Sequence, residues 1–183
     1  ASRMLTTTDI PWGKLELYLG VGGWVHLTNV GGDMELVERL LAWAKEKGRK
    51  IYWNPGGEEI RQIKNYPDIL QLNRQEASNF FGINFGDDEV WRSEHCPTPA
   101  ETMLLITDGA KGGRVCYEGA CRWYEATEAG RVDSTGAGDA FGSGVVAALM
   151  QGKDMMAAVE LGKKQAAAVV GQMGAKAGLL SYV

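Results

Sequence analysis

Val132-Asp133-Ser134-Thr135-Gly136-Ala137-Gly138-Asp139-Ala140-Phe141-Gly142-Ser143-Gly144 is the stretch on which the reading of this chain turns. Most of its residues are small, and an amphipathic segment follows it. Small residues let the backbone turn tightly into a helix, so that the amides of the first turn point outward with the positive end of the dipole behind them. Such a turn is an anion hole. A phosphoryl group in transfer spreads charge over its outer oxygens, and fixed N–H donors stabilise it without reorganising. Asp139 falls in the first turn of the same helix, where an ionised carboxylate can take the proton of an attacking hydroxyl. The competing reading is architectural: the glycines permit close helix packing and Asp139 complements the dipole. No G-x-x-x-x-G-K-[ST] sequence is present, and no G-x-G-x-x-G follows a strand.

Outward from this segment, strands and helices alternate. Leu15, Leu17 and Leu19 alternate with Lys14, Glu16 and Tyr18 as in a strand, and Trp24 to Val30 reads as a second, more buried strand. Gly31-Gly32-Asp33 then caps a helix whose apolar positions Leu36, Val37, Leu40, Leu41 and Ala44 run to an exit at Lys47-Gly48. Lys50 to Trp53 is the next strand, ended by Asn54-Pro55-Gly56-Gly57, and a short helix is expected over Glu58 to Asn65. Ile69 to Asn73 enters a helix at Arg74, with Phe80 and Phe81 on its last turn. Met103 to Asp108 reads as a strand, and Arg114 to Tyr117 with Cys121 to Glu125 as a hairpin joined through Glu118-Gly119-Ala120. Two long helices follow, about Ala137 to Gln151 and Met155 to Met173. The alternation predicts an α/β domain on a largely parallel sheet covered on both faces, with ligands beyond the carboxyl ends of its strands. Without a repeat or a break in composition, residues 1–183 are read as a single domain.

The 183 residues are 45% hydrophobic and 23% charged, a composition that suits a soluble globular chain. A net charge of −4, with no block of one sign, argues against nucleic acid or an anionic membrane as a partner. The longest apolar runs, such as Val145 to Met150, fall far short of the roughly 20 residues that span a bilayer. Ala1 to Met4 lack the apolar core of a secretory signal. Cys96, Cys116 and Cys121 form no C-x-x-C pair, and their odd number argues against a disulfide framework and for a reducing, cytoplasmic setting. Cys116 and Cys121 are expected to be facing neighbours in the hairpin rather than a redox pair. His26 and His95 suggest no zinc site, and His26 is expected to be a core or face residue of a buried strand. Trp24, Trp43 and Trp53 are expected to pack rather than to stack on a sugar.

With the elements in place, Asp133 to Phe141 followed by Gly142-Ser143-Gly144 resembles the second signature of the ribokinase-like (PfkB) carbohydrate kinases. The resemblance implies that Gly136, Ala137 and Gly138 form the anion hole and that Asp139 is the base. Leu72-Asn73-Arg74-Gln75-Glu76-Ala77 resembles the family's N-x-x-E motif, which implies that Asn73 and Glu76 order Mg²⁺ and its waters around the phosphates; alone, the same spacing also suits a helix cap. Ile106 to Gly113 resembles the T-x-G-x-x-G turn beside the nucleotide, with Thr107, Gly109 and Gly112 as its contacts, although an ordinary glycine turn would look the same. Gly174 to Leu180 resembles the closing loop beside the adenine, placing Gly174 there. In relatives a monovalent cation such as K⁺ binds at this loop and at an aspartate corresponding to Asp133.

The resemblance covers nearly the whole chain and implies a three-layer α/β/α fold lacking its N-terminal side, where the lid, the first strands and most sugar-gripping residues of the family lie. Family members run to roughly 300 residues, within single-domain size for α/β folds. A sheet cut in this way would expose an edge, so self-association is expected. The implied activity is transfer of the γ-phosphoryl of ATP to a sugar or nucleoside hydroxyl. The second hypothesis is a non-catalytic nucleotide-binding or assembly module, and the third, a dinucleotide-dependent oxidoreductase, lacks its glycine fingerprint.

Overall fold

The computed structural model describes residues 6–15, 23–56, 63–128, 135–171 and 178. The chain divides into two compact units, Ala1–Ile106 with Arg114–Arg122, and Thr107–Gly113 with Trp123–Val183.

The first unit is built around a sheet. Strand β1 (Trp24–Leu27) pairs in parallel with β2 (Lys50–Trp53) in the register Trp24↔Lys50 to Leu27↔Trp53, and β2 pairs in parallel with β3 (Ile69–Asn73) through Tyr52↔Ile69 and Trp53↔Leu70. Helix α1 (Met34–Glu46) connects β1 to β2. Asp33 caps it by accepting from the Leu36 amide at 2.9 Å, and the apolar positions read from sequence, Leu36, Val37, Leu40, Leu41 and Ala44, are the ones it buries. Each fully buried leucine or valine of this kind stabilises the fold by roughly 1.5–3 kcal/mol. Helices α2 (Arg74–Phe81) and α3 (Asp88–Arg92) lie between β3 and β4 (Met103–Thr107), and β5 (Gly113–Tyr117) and β6 (Ala120–Tyr124) complete the strand order β1-β2-β3-β4-β5-β6.

Residues 118–119 turn β5 into β6 with φ of 51° at Glu118 and 77° at Gly119, the double left-handed conformation of a two-residue hairpin turn. Residues 108–112 join β4 to β5. Both connections are too short for a parallel crossover, so this side of the sheet runs antiparallel. The sheet is therefore mixed: β1, β2 and β3 are parallel, as expected, whereas β4, β5 and β6 form a meander.

Three expectations are corrected here. Cys116 and Cys121 do face each other, but they are joined as a disulfide, with Cα atoms 4.0 Å apart. The hairpin turn sets this pairing directly, and the odd number only leaves Cys96 over. Strand β1 is part-buried rather than buried, and His26 is exposed with its ring edge-on to Tyr52 at 4.6 Å. The helix expected over Glu58 to Asn65 does not include residues 63–65, and the rest of it lies outside the described residues. The strand expected around Leu17 and Leu19 lies outside them too, while Leu15 is buried after a 3-10 turn at Trp12–Lys14. Trp53 is buried in the core, with Trp12 and Trp43 packed against it, and Trp24 lies under the Lys50 ammonium at 5.4 Å.

In the second unit, α4 (Ala137–Met150) and α5 (Met155–Val170) form a hairpin of helices. Their contact is backbone on backbone. A Cβ on Gly144 would come within 2.9 Å of both Gly162 Cα and Leu161 O, and one on Gly162 within 2.8 Å of Phe141 O. Phe141 stacks on Tyr124 at 5.9 Å. Burial pushes the Tyr124 hydroxyl well above the usual phenol range, and that hydroxyl has no hydrogen-bond partner among the described residues.

Candidate active site

Helix α4 begins differently from the others. Each other described α-helix opens on an Asp or Asn whose side chain accepts from a first-turn amide: Asp33, Asn73, Asp87 and Asp154. Helix α4 instead opens on Gly136, whose φ of 80° and ψ of 0° place it in the left-handed region where glycine is favoured. With no side chain, Gly136 cannot cap the turn. The first hydrogen bond of the helix runs from the Ala140 amide to the Gly136 carbonyl at 2.9 Å, so the amides of Ala137, Gly138 and Asp139 precede it. Thr135 and Asp139 are exposed and Gly136, Ala137 and Gly138 part-buried, leaving the turn and the carboxylate accessible from solvent.

The turn after β4 belongs to the same unit. The Asp108 amide donates to the Gly112 carbonyl at 2.7 Å, closing a 3-10 turn over Gly109–Lys111, with Thr107 part-buried at the strand end. Gly109 has φ of 55° and open space where a Cβ would stand. Gly112 has φ of 89°, and a Cβ there would lie 2.0 Å from Tyr124 O. The chain's own backbone is thus sufficient to require glycine at 112.

In the first unit, the parallel register places the carboxyl ends of β1, β2 and β3 on one side of the sheet. Asn73 and Glu76 form a reciprocal cap at the last of these: the Glu76 amide donates to Asn73 Oδ1 and the Asn73 amide to Glu76 Oε2, both at 2.8 Å. Asn73 is exposed and Glu76 half-buried. At the ends of β1 and β2, Asn29 links two loops, donating from Nδ2 to the Gly56 carbonyl at 2.8 Å and accepting from the Gly31 amide at 2.7 Å. Asn29 escaped the sequence reading, although an asparagine two residues before a glycine pair is a recognisable Asx-turn signal. Asp33 also accepts from the Thr7 amide and hydroxyl. The Leu36 amide, aided by Thr7 and opposed by desolvation, holds its carboxyl below the usual range. Asp133 and Gly174 lie outside the described residues.

Residues 5–181 match the family described as pfkB family carbohydrate kinase. The chain belongs to that family. Among curated pfkB relatives, it is 28% identical over 169 residues to a fructokinase of Escherichia coli, covering 81% of this chain and 51% of that protein. It is 30% identical over 147 residues to a ribokinase of Haemophilus influenzae, covering 78% of this chain and 48% of the relative. The chain thus spans about half the length of these two curated relatives. Adenosine kinase from Schistosoma mansoni, solved with adenosine and AMP, superposes with a TM-score of 0.73 at 17% identity, over 95% of this chain and 58% of that one. Ribokinase from Thermotoga maritima gives 0.68 at 22%, over 94% and 57%. These likenesses identify the fold as ribokinase-like α/β. No helix of the described residues is long and apolar enough to cross a membrane.

Proposed function

We propose that this chain carries phosphoryl-transfer machinery of an ATP-dependent kinase that moves the γ-phosphoryl to a sugar or nucleoside hydroxyl. The observation that carries the reading is the start of α4, where a left-handed glycine stands at the position that a capping Asp or Asn holds in every other described α-helix, and an exposed Asp139 stands in the first turn. In this reading the amides of Gly136, Ala137 and Gly138 face the charge developing on the transferred group, and Asp139 accepts the hydroxyl proton as the oxygen attacks. Because phosphoryl transfer passes through a loose transition state, catalysis rests on positioning and electrostatics more than on a strong base.

Thr107, Gly109 and Gly112 are assigned to the nucleotide side of the reaction, together with Gly174. Asn73 and Glu76 are assigned to Mg²⁺ through water. Their donors suit that role: both offer hard oxygens, and the capping bonds leave further acceptor sites on a carboxylate. Bound Mg²⁺ would neutralise phosphate charge. Asp133 is assigned to a monovalent cation. The fructokinase, ribokinase and adenosine kinase relatives support sugars and nucleosides as the acceptor class.

The test is Asp139→Asn, assayed for nucleotide-dependent phosphorylation of a panel of sugars and nucleosides in a form of the protein that shows transfer. The expected outcome is a loss of about 10²–10⁴-fold in turnover, the usual worth of a general base, with nucleotide affinity kept. Undiminished turnover would remove Asp139 from the mechanism. Nucleotide binding without transfer to any acceptor, in wild type as in the variant, would favour a non-catalytic nucleotide-binding module.

A further inference from the structure

Away from α4, the first unit gathers its three cysteines. The sulfurs of Cys96, Cys116 and Cys121 all lie within 4.8 Å of one another. Two are joined and buried, with Cys116 at 0% and Cys121 at 8% exposure, whereas Cys96 is a free thiol and part-exposed. Between them sits Arg114, itself 0% exposed. Its Nε lies 3.3 Å from the Cys116 sulfur and its Nη2 3.2 Å from that of Cys121, while the carbonyls of Trp91 and His95 also accept from the guanidinium. The Thr98 hydroxyl is 3.2 Å from the Cys96 sulfur.

A hairpin needs no guanidinium buried against its disulfide. A cation beside sulfur favours the thiolate, which is both the nucleophile and the leaving group of thiol–disulfide exchange. The same charge discourages a metal cation from taking the three sulfurs as ligands.

We infer that Cys96, Cys116 and Cys121 form a thiol–disulfide exchange site, with Cys96 as the entry thiol and Arg114 holding the departing thiolate. The Cys96 thiolate attacks the sulfur of Cys121, a Cys96–Cys121 bond forms, the Cys116–Cys121 bond breaks, and Cys116 leaves as a thiolate beside Arg114 Nε. Attack on Cys116 is the mirror step and releases Cys121 beside Nη2. No electrons are gained or lost. A small thiol in solution, of the glutathione class, then attacks the more accessible Cys96 sulfur and releases Cys121, so that the buried bond communicates with solvent redox state through Cys96.

The experiment takes the oxidised chain, incubates it at mildly alkaline pH without reductant, quenches with acid, labels free thiols with N-ethylmaleimide and maps the label by mass spectrometry. Wild type should carry label on Cys96 in one population and on Cys116 or Cys121 in others. Cys96→Ser should carry none, and its disulfide should be reduced by glutathione several-fold more slowly than that of wild type. Label confined to Cys96 after long incubation, together with equal reduction rates in the two proteins, would overturn the proposal. So would all three thiols remaining open after treatment with glutathione disulfide, or a stoichiometric zinc ion that shields all three sulfurs from label. The wild-type labelling pattern keeps the test decisive even if the variant folds poorly.

Discussion

The starts of α2 and α4 meet the same physical problem in opposite ways. Any helix leaves its first amides without acceptors inside the helix. At α2 the chain answers from within: Asn73 and Glu76 exchange hydrogen bonds with each other's amides, and the turn is closed by its own side chains. At α4 the capping position is Gly136, which has no side chain to offer and a backbone conformation that few other residues accept. Capping the first way stabilises a fold. The second way forgoes a side-chain bond from the capping residue itself. The two motifs therefore rest on different grounds: the N-x-x-E spacing serves as a helix cap, as its sequence alone allowed, whereas the capping residue of α4 is a glycine.

That contrast can be broken at several points. The largest expected effect is the 10²–10⁴-fold loss of turnover at Asp139→Asn, which should have no counterpart in stability. Next, Gly144→Ala should lower stability by about 1–3 kcal/mol in a denaturant melt, because its methyl meets the backbone of α5, while nucleotide affinity of the folded protein stays unchanged. Gly136→Ala should cost about 1–2 kcal/mol from its left-handed φ and also weaken nucleotide binding, so the two glycines of one signature separate by readout. Asn73→Ala should cost about 1 kcal/mol of stability through the lost cap. Glu76→Gln is sharper, since glutamine can keep the reciprocal cap: stability should hold while the Mg²⁺ concentration needed for transfer rises. If this substitution leaves the Mg²⁺ requirement untouched, Glu76 serves α2 alone.

The smallest expected effect is on acid stability. Because the Asp33 carboxyl is held below the usual carboxylate range, it contributes stability that is fully present above the unfolded pKa and lost as pH falls through the lower folded one. Melting of wild type and Asp33→Asn should therefore differ at neutral pH and converge at the acid end of the titration.

Much of this was legible from residue order because local rules were enough. Asp33 followed by five apolar residues at helical spacing named both the cap and the buried face of α1, and glycine with alternation named the β5–β6 hairpin. Burial was harder to read. The run from Trp24 looked like an interior strand, yet its exposure depends on what the sheet places around it, and His26 proved exposed. Cysteine parity misled for a related reason: pairing follows register, and the two-residue turn at Glu118-Gly119 sets Cys116 against Cys121 whatever the total. For the site, the α4 turn could be read because glycine and small residues leave a chemical signature. Gly112 could not, since its neighbours Tyr124 to Ala126 are remote in sequence and explain the glycine without a ligand.

The contact between Gly144 and Gly162 has a mechanical consequence. Side chains can flex to absorb a shift between helices, but backbone against backbone has no such give. Sliding α4 along α5 would press the Val145 side chain against the Gly162 main chain. The pair should travel as one strut, so any motion of Asp139 must carry α5 with it, and the pivot must lie outside the two helices.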